Sequence, residues 1–348
     1  MEFLEIIFIT LKSMILVTGA TGLLGSDLLA KLVMRGQRVK AIRRAHSDLA
    51  LAEKALGRNK ISIQDVTWID ADVTDYFSLV EAMKDVEQVY HCAAVVSFNP
   101  QAASHMMQVN VRGTANVVNA ALECGINKLC YVSSTAALGR TEQSKMMDEE
   151  SHWQNSNYNS NYAISKYGAE REVWRAMEEG LNAVIVNPSV IIGPGDWKTD
   201  SSRIIGQVWK GLRFYPQGGN AFVDVRDITD VMIKLMEGPY SRQRYLLLSE
   251  NKSYREIFNM TADAFKKKRP SMRINKLMSA AAWRAEWLRS KMTGSSPVVT
   301  KEMLRASSRN YLYSNQKIKA ELKHNFIPVE QTIEDTCKIF LEEMQANY

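Results

Sequence analysis

Two side chains four residues apart, Tyr162 and Lys166, open a long predicted helix and lie on the same face of it. A tyrosine hydroxyl has a pKa of about 10, so proton exchange near neutral pH requires a neighbouring cation that favours the phenolate. Lys166 would supply that cation. An apolar strand ends in Ser133 and Ser134, and the Ser134 hydroxyl could hold a carbonyl or alcohol oxygen. The set predicts proton transfer to a substrate oxygen, although the spacing alone also fits an exposed helix face.

A glycine-rich turn follows the first apolar strand, 14–18, and precedes a helical pattern. Gly19 would make the turn, Gly22 would let the backbone approach a pyrophosphate, and Gly25 would let the helix pack on the sheet. The N-terminus of that helix would then face the anion. The turn predicts dinucleotide binding rather than a purely structural bend, through Gly19, Thr21, Gly22, Leu23, Leu24 and Gly25.

The second strand, 38–44, ends in Arg43 and Arg44, and no acid follows before Asp48. NAD enzymes place a carboxylate here against the ribose 2′-hydroxyl, whereas NADP enzymes place an arginine against the 2′-phosphate. A guanidinium can pair with a phosphate in bidentate fashion. The sequence therefore favours NADP(H) and leaves NAD(H) open. The alternative, that an arginine here is only a solvated surface charge, stays open for one of the two.

In their order along the chain, these motifs resemble those of the extended short-chain dehydrogenases/reductases, the NAD-dependent epimerase/dehydratase family. Segments 71–75, 91–94, 110–114 and 187–195 are also similar to family motifs. The resemblance implies further cofactor contacts at Asp72, Val73, Ala93, Ala94, Lys166, Pro188 and Val190.

The resemblance also implies the catalytic roles. Tyr162 would exchange the proton, Lys166 would lower its pKa and bind the nicotinamide ribose, and Ser134 would orient the substrate. Asn110 would be a supporting relay residue. Ser133 is the competing serine, and Ser134 is preferred because of its distance from the next glycine. No metal site is predicted.

The predicted fold is α/β, a Rossmann-type doubly wound parallel sheet with a smaller C-terminal α+β substrate lobe. Residues 1–13 are expected to be an N-terminal extension, because they lack a basic region and a cleavage site. The NAD(P)-binding Rossmann core is predicted over 14–190. The range 191–348 is mainly the substrate-binding lobe, with 221–237 returning to the core.

Three smaller predictions concern the C-terminal half. Asp227 is interpreted as a helix N-cap with Asp230 in the first turn. The turn cluster 293–297 could act as a lid hinge. Residues 315–326 resemble the closing helix and turn of the family.

The branch of the family is indicated by a few residues. Where the sugar dehydratases carry a Thr-Asp-Glu set, this chain has Ser134, Thr135 and Ala136, so both acid–base carboxylates are missing. Segment 186–189 resembles the reductase pattern. We therefore predict an NADP(H)-dependent oxidoreductase similar to dihydroflavonol-4-reductase-like enzymes, reducing a ketone or aldehyde of a small organic substrate. A nucleotide-sugar epimerase is the alternative. A non-catalytic dinucleotide-binding protein is a weaker one.

The excess positive charge is local. The chain has 348 residues and a formal net charge of +6, but 264–291 contains nine Lys and Arg and one acid, Glu286. Apolar residues at helical spacing predict one amphipathic helix there, with a solvated basic face over a buried stripe. A membrane-surface helix anchored by Trp283 and Trp287 is the less favoured alternative. Nucleic acid is not expected, because no recognition motif accompanies the basic stretch.

The remaining predictions rest on composition and on the resemblance. The four cysteines form no Cys-x-x-Cys pair, which argues against a zinc site and a disulfide framework and predicts a cytoplasmic location. A homodimer paired through the helices containing Asn110 and Tyr162 is expected from the family. Aromatic side chains of the predicted lobe would form either a small core or a pocket for a ring-bearing carbonyl compound: Trp153, Trp197, Trp209, Phe214, Tyr215, Trp283 and Trp287.

Overall fold

A computed structural model of the protein describes residues 13–139, 146–199, 201–293 and 300–346. The strands are β1 Met14–Thr18, β2 Arg38–Arg43, β3 Thr67–Asp70, β4 Gln88–His91, β5 Lys128–Val132, β6 Met146–Met147, β7 Ala183–Pro188, β8 Val190–Ile192, β9 Phe214–Tyr215, β10 Gly219–Asp224, β11 Gln243–Leu247, β12 Glu250–Ser253, β13 Met272–Arg273 and β14 Leu312–Tyr313. The helices are α1 Leu23–Met34, α2 Ala50–Arg58, α3 Tyr76–Ala82, α4 Ala103–Met106, α5 Gly113–Glu123, α6 Asn161–Glu178, α7 Arg203–Trp209, α8 Val225–Glu237, α9 Tyr254–Ala264, α10 Lys276–Thr293, α11 Lys301–Ser307, α12 Gln316–Leu322 and α13 Val329–Ala346.

The central sheet has seven parallel strands in the order β11-β7-β5-β4-β1-β2-β3. The chain moves outward from β1 to β3 and then restarts at β4 on the other side of β1. The carboxyl ends of β1 and β4 therefore flank the point where the strand order reverses, which is where ligands bind in such sheets. The predicted Rossmann-type fold is confirmed.

Helices cover both faces of this sheet. Strand β5 is buried along its whole length, as expected for a parallel strand with helices on both sides. Residues of α1 and α8 join one apolar core, and residues of α3, α5 and α6 join a second core on the opposite face. Helix α8 therefore packs on the sheet beside α1. The predicted domain boundaries stay a prediction.

A smaller three-stranded sheet, β12-β10-β8, lies in the C-terminal half. It shares a third core with α7, α9 and α13. Trp197 and Trp209 pack against Phe340 with ring centroids 5.0 and 5.5 Å apart, and Trp209 also meets Phe265 at 5.0 Å. For these two tryptophans the structure supports a role in the core of the lobe.

The N-cap of α8 is Asp224, so the assignment of the cap to Asp227 is wrong. The Asp224 carboxylate accepts a hydrogen bond at 2.8 Å from the backbone N–H two residues on. Strand β10 passes into α8 without a loop, which places the cap earlier than the pattern suggested. Asp227 lies within the first turn, where its buried carboxylate is 2.9 Å from Nε2 of His324. Asp230 lies a turn further on and pairs with Lys31 of α1 at 2.7 Å.

The prediction that the basic stretch 264–291 forms one helix with a buried stripe is wrong. Helix α9 ends at Ala264, the chain passes through β13, and α10 begins at Lys276. The apolar stripe of α10 faces outward, with Leu277 82% and Leu288 53% exposed. The spacing identified residues that share a face, but it could not show whether a neighbouring element covers that face.

Two further predictions concern the C-terminal half. One differs from the structure, and the other falls largely outside the described residues. The predicted closing helix corresponds to α12, but an additional helix of 18 residues, α13, follows it and packs into the lobe. Thr293 is the last residue of α10, and 294–297 of the proposed hinge lie outside the described residues.

Candidate active site

The glycine turn lies at the carboxyl end of β1 and is tightly enclosed by backbone. Gly19 has φ of +69°, and a Cβ there would come within 2.6 Å of the Ala93 backbone nitrogen. A Cβ on Gly25 would lie 2.1 Å from the Gly19 carbonyl oxygen. Gly22, in contrast, is exposed and forms the N-cap of α1 without a side-chain cap. The turn therefore leaves space for an anion at the N-terminus of α1, as a bound pyrophosphate requires. Thr21 and Leu23 are half-buried beside it, and Leu24 is buried.

A buried polar chain beneath this turn was not anticipated from the sequence. Thr18 Oγ1 accepts a hydrogen bond from the Ala93 backbone N–H at 3.2 Å and lies 2.7 Å from His91 Nδ1. His91 Nε2 lies 3.0 Å from Thr114 Oγ1. Burial lowers the pKa of His91 to about 3, so the ring is neutral. These hydrogen-bonded side chains join the ends of β1 and β4 to α5 and fix the segment containing Ala93 and Ala94.

The two arginines at the end of β2 differ in their surroundings. Arg43 Nε forms an ion pair at 2.9 Å with Asp70, the last residue of β3. Arg44 is exposed, and its backbone N–H donates to Ser47 at 3.0 Å. One positive charge is therefore balanced by Asp70. The net charge of the three side chains remains positive.

The turn 71–75, where the resemblance implies cofactor contacts at Asp72 and Val73, follows β3. The Asp72 carboxylate accepts hydrogen bonds from the backbone N–H and the hydroxyl of Thr74, at 2.8 and 2.7 Å. The next residue, Val73, is buried against α5, where a Cβ on Gly113 would lie 2.7 Å from the valine side chain. Asp72 thus shapes the turn, while Val73 anchors it to the helix.

Lys166 is buried in the second turn of α6, at 2% exposure. Its ammonium donates hydrogen bonds of 2.8 Å to the Val132 carbonyl oxygen and to the Tyr131 hydroxyl. Burial lowers the pKa of Lys166 to about 7. Tyr162 lies one turn earlier, half-buried, with its ring centroid 6.4 Å from that of Phe98. The helix fixes both side chains at the carboxyl end of β5.

The two serines after β5 have different environments. Ser133 is buried and donates a 2.6 Å hydrogen bond to Oε2 of Glu170. Ser134 is half-buried and accepts a 3.2 Å hydrogen bond from the Ala136 backbone N–H. Ser134 thereby caps the short 3-10 turn 135–138, which packs against α6. Of the two serines, Ser134 is therefore the less buried.

Asn110 lies in a π-helical segment, 107–112, between α4 and α5. Its side-chain amide pairs with both backbone groups of Val95, at 2.7 and 2.9 Å, and donates to Ser165 at 2.9 Å. The side chain therefore ties the segment after β4 to the catalytic helix.

A second buried network, centred on Glu170, was missed by the sequence interpretation. Its carboxylate accepts hydrogen bonds from Ser133, from Asn187 at 2.7 Å and from Arg244 at 3.1 Å. Trp174 adds a fourth donor at 3.3 Å. Glu170 follows Lys166 by one helical turn, so the pattern Tyr-x-x-x-Lys-x-x-x-Glu was a signal available in the sequence.

Segment 187–195, where the resemblance implies cofactor contacts at Pro188 and Val190, runs from the end of β7 into β8. Between them, the buried Ser189 hydroxyl has no hydrogen-bond partner among the described residues. A buried polar atom without a partner is costly unless a ligand or water satisfies it. This fits a dinucleotide held along the carboxyl edge of the sheet. Within the same described ranges, no cluster of three potential metal ligands occurs.

Comparison with known proteins defines the class. The model of the NAD-dependent epimerase/dehydratase family matches residues 15–247, and the chain belongs to this family, the extended short-chain dehydrogenases/reductases. One relative, sterol demethylase protein B of Methylococcus capsulatus, is 30% identical over 268 residues, covering 74% of this chain and 76% of that protein. A putative dihydroflavonol 4-reductase of Synechocystis is 27% identical and covers 96% of both chains.

A solved structure shares the fold. The crystal structure of gox2253 matches with a TM-score of 0.79 and 30% sequence identity, covering 95% of this chain and 99% of that chain. The family assignment and the resemblance to dihydroflavonol-4-reductase-like proteins are thus confirmed. The chain is an NAD(P)-dependent enzyme of this family. No helix in the described part of the chain is long and apolar enough to cross a membrane.

Proposed function

We propose that the protein is an NADP(H)-dependent reductase of a ketone or aldehyde on a small, ring-bearing organic substrate. The observation on which this rests is the geometry around α6. Lys166 is immobilised by Val132 and Tyr131, Tyr162 lies one turn away, and the half-buried Ser134 caps a short turn that packs against the same helix. These are the groups that an oxygen-centred proton transfer requires.

In the proposed reaction, the Ser134 hydroxyl donates a hydrogen bond to the substrate carbonyl oxygen and polarises it. NADPH, when bound, supplies a hydride to the carbonyl carbon. The Tyr162 hydroxyl gives its proton to the oxygen as the alcohol forms. The Lys166 ammonium lowers the pKa of Tyr162, because a nearby positive charge stabilises the phenolate left behind. Bulk solvent then restores the proton on Tyr162.

The preference for NADP(H) rests on the end of β2. Arg43 and Arg44 together outweigh the single charge of Asp70, so the surroundings of the ribose 2′ position are positive. A phosphate there gains charge-assisted hydrogen bonds from a guanidinium, whereas an uncharged 2′-hydroxyl gains little. We infer that Arg43 contacts the 2′-phosphate and that Arg44 adds to the attraction.

A ring-bearing substrate is supported by the aromatic side chains near the catalytic helix. Phe98 lies beside Tyr162, and Trp153 stacks on Tyr167 of α6 with ring centroids 4.3 Å apart. The names of the two relatives refer to a sterol and to a dihydroflavonol, and both compounds contain fused rings. A 3-oxosterol and a dihydroflavonol are therefore the first compounds to assay.

The nucleotide bound to the purified protein distinguishes this proposal from nucleotide-sugar epimerisation. A reductase must exchange its cofactor at each turnover, whereas an epimerase keeps it bound because its reaction has no net redox change. Mass analysis after denaturation is expected to find little nucleotide, or NADP(H) in less than stoichiometric amount. Stoichiometric, tightly held NAD would contradict the reductase proposal and favour the epimerase.

A further inference from the structure

The exposed apolar stripe of α10 has no cover among the described residues. Its members follow one another at intervals of three or four residues and so lie on one face of the helix. Leu277, Leu288 and Met292 are 82%, 53% and 80% exposed, and Ala281 and Ala285 between them are exposed as well. Three large aliphatic side chains in one exposed row are unusual on a protein that remains in water.

The opposite side of α10 is the one that faces the protein. Ser279, Trp283, Glu286 and Ser290, also one turn apart, are half-buried. Trp283 lies towards α11, with its ring centroid 5.9 Å from the ammonium of Lys301. The helix thus presents its aliphatic row outward and a row of mostly polar residues inward, the reverse of a helix that stabilises its own lobe.

Positive charges flank the outward row. Arg284 and Lys291 are neighbours of Leu288, one turn before and one turn after it. They pack over aromatic rings, Arg284 at 4.7 Å from Trp283 and Lys291 at 4.5 Å from Trp287. Within the described ranges neither forms an ion pair with an acid, whereas Arg289 pairs with Glu286 at 2.7 Å. The exposed row is therefore bordered by these cations and by the exposed indole ring of Trp287.

We propose that α10 docks the protein onto the surface of a negatively charged phospholipid bilayer. When such a helix lies in the plane of the membrane, aliphatic side chains enter the acyl boundary, flanking cations contact the headgroups, and the Trp287 indole lies at the interface. A helix of 18 residues offers about 27 Å for this contact.

The other candidate partners of this surface, a second copy of the chain and a nucleic acid, fit it less well than a bilayer does. A second copy of the chain would bring an identical basic helix against this one, and the like charges would repel. A nucleic acid would satisfy the cations but would leave the aliphatic row in water, since its phosphate backbone offers no apolar partner. A negatively charged bilayer satisfies both parts of the surface.

The test uses the full chain with vesicles of phosphatidylglycerol and of phosphatidylcholine, separated by flotation. The protein is expected to bind phosphatidylglycerol vesicles and to bind phosphatidylcholine vesicles only weakly. Binding to phosphatidylglycerol should decrease as the salt concentration rises. Replacing the row by Leu277→Gln, Leu288→Gln and Met292→Gln should weaken binding about tenfold or more. Arg284→Gln with Lys291→Gln should weaken it about fivefold for each cation removed.

A matched control is Met34→Gln with Phe77→Gln, since these side chains are 61% and 81% exposed on α1 and α3. This variant should bind vesicles like the wild type. Thermal unfolding midpoints of all variants confirm folding. The proposal is overturned if phosphatidylglycerol vesicles are not bound, or if the row variant binds them like the control. It is equally overturned if the row variant merely dissociates a dimer, or if DNA is bound in preference to the vesicles.

Discussion

Tyr162 lies half-buried at the start of α6, while Lys166, one turn on, is held in place by two hydrogen bonds. Removing only the tyrosine hydroxyl tests its assigned role as proton donor. Tyr162→Phe should lower kcat by about a thousandfold or more, because the alkoxide would form without a proton source. The affinity for NADPH, measured by fluorescence titration, should stay within a few-fold of the wild type.

The matched control is Tyr167→Phe on the same helix. The ring of Tyr167 stacks on Trp153, an interaction that does not require the hydroxyl. This variant should keep turnover near that of the wild type. If Tyr162→Phe reacted as fast as Tyr167→Phe, the proton would come from another group.

Lys166 gives a pH dependence to stability. Burial lowers the pKa of Lys166 from 10.5 to about 7 in the folded state. Between these two pH values the unfolded chain binds the extra proton, so the free energy of unfolding should rise with pH. Below pH 7 both states are protonated, and the cost of burying the charge is constant.

The variant Lys166→Met removes this titration. The free energy of unfolding of the wild type minus that of the variant should increase by more than about 1 kcal/mol between pH 7 and 9.5. Urea denaturation of the two proteins at several pH values measures this difference. A difference that is flat or falls with pH would show that Lys166 keeps its ordinary pKa.

The charge at the end of β2 is tested by Arg43→Glu, with Arg44→Glu as its companion. Replacing Arg43 puts a carboxylate beside the position of the 2′-phosphate and leaves Asp70 without its ion-pair partner. The ratio of kcat/KM for NADPH over NADH should fall by about tenfold or more. If Arg43→Glu leaves the ratio unaltered and Arg44→Glu lowers it, the phosphate is bound by Arg44.

At the scale of secondary-structure elements, the Glu170 network ties the catalytic helix to the sheet. Its carboxylate joins α6 to the end of β5 through Ser133, to β7 through Asn187 and to β11 through Arg244. Four donors converge on one buried group that lies one turn from Lys166. Glu170 is therefore assigned as a positioning residue that keeps α6 in register with the strand ends.

The variant Glu170→Gln keeps the size of the side chain but removes its charge and part of its acceptor capacity. The free energy of unfolding should fall by about 2 kcal/mol, because the half-buried guanidinium of Arg244 loses its charged acceptor and keeps only its hydrogen bonds to the carbonyl oxygens of Glu149 and Ser151. Glu170 also raises the pKa of Lys166, so its removal should move the alkaline limb of the pH–rate profile to lower pH.

Glu172→Gln, two residues further along α6, is the control for this change. Glu172 forms a half-exposed ion pair with Arg175, and its loss should change stability by less than about 1 kcal/mol. A loss of stability in Glu170→Gln without any movement of the pH–rate profile would reduce Glu170 to a purely structural residue.

Local sequence patterns predicted the positions of these elements correctly, but they did not predict how the elements pack against one another. The strand, glycine turn and α1 are contiguous in the chain, and Tyr162 and Lys166 are related by one helical turn, so periodicity was sufficient for both. Arg244 is 74 residues from Glu170, and no local pattern links the two. The outward orientation of the α10 stripe was missed for the same reason, since coverage by neighbours depends on the tertiary fold.

At the scale of the whole molecule, the structure shows where the excess charge behind the formal net charge of +6 lies. Much of the excess positive charge lies on and around α10, far along the chain from the glycine turn. Some of these side chains already have partners within the protein. Arg269 pairs with Asp263 at 2.8 Å, and Lys267 donates to the Trp209 carbonyl oxygen at 2.6 Å. The charge therefore bears on what the outer surface of the protein contacts. Homodimerisation and a cytoplasmic location stay predictions.

Consumption of NADPH in the presence of candidate carbonyl compounds tests the central claim most directly. The purified chain is supplied with NADPH and, in separate reactions, with a 3-oxosterol, a dihydroflavonol or UDP-glucose, and absorbance of the reduced nicotinamide is followed. We predict that at least one ring-bearing carbonyl compound is reduced, with one NADP⁺ formed for each alcohol, and that UDP-glucose causes no loss of NADPH. Isomerisation of UDP-glucose without net oxidation of NADPH, with no carbonyl compound reduced, would contradict the account.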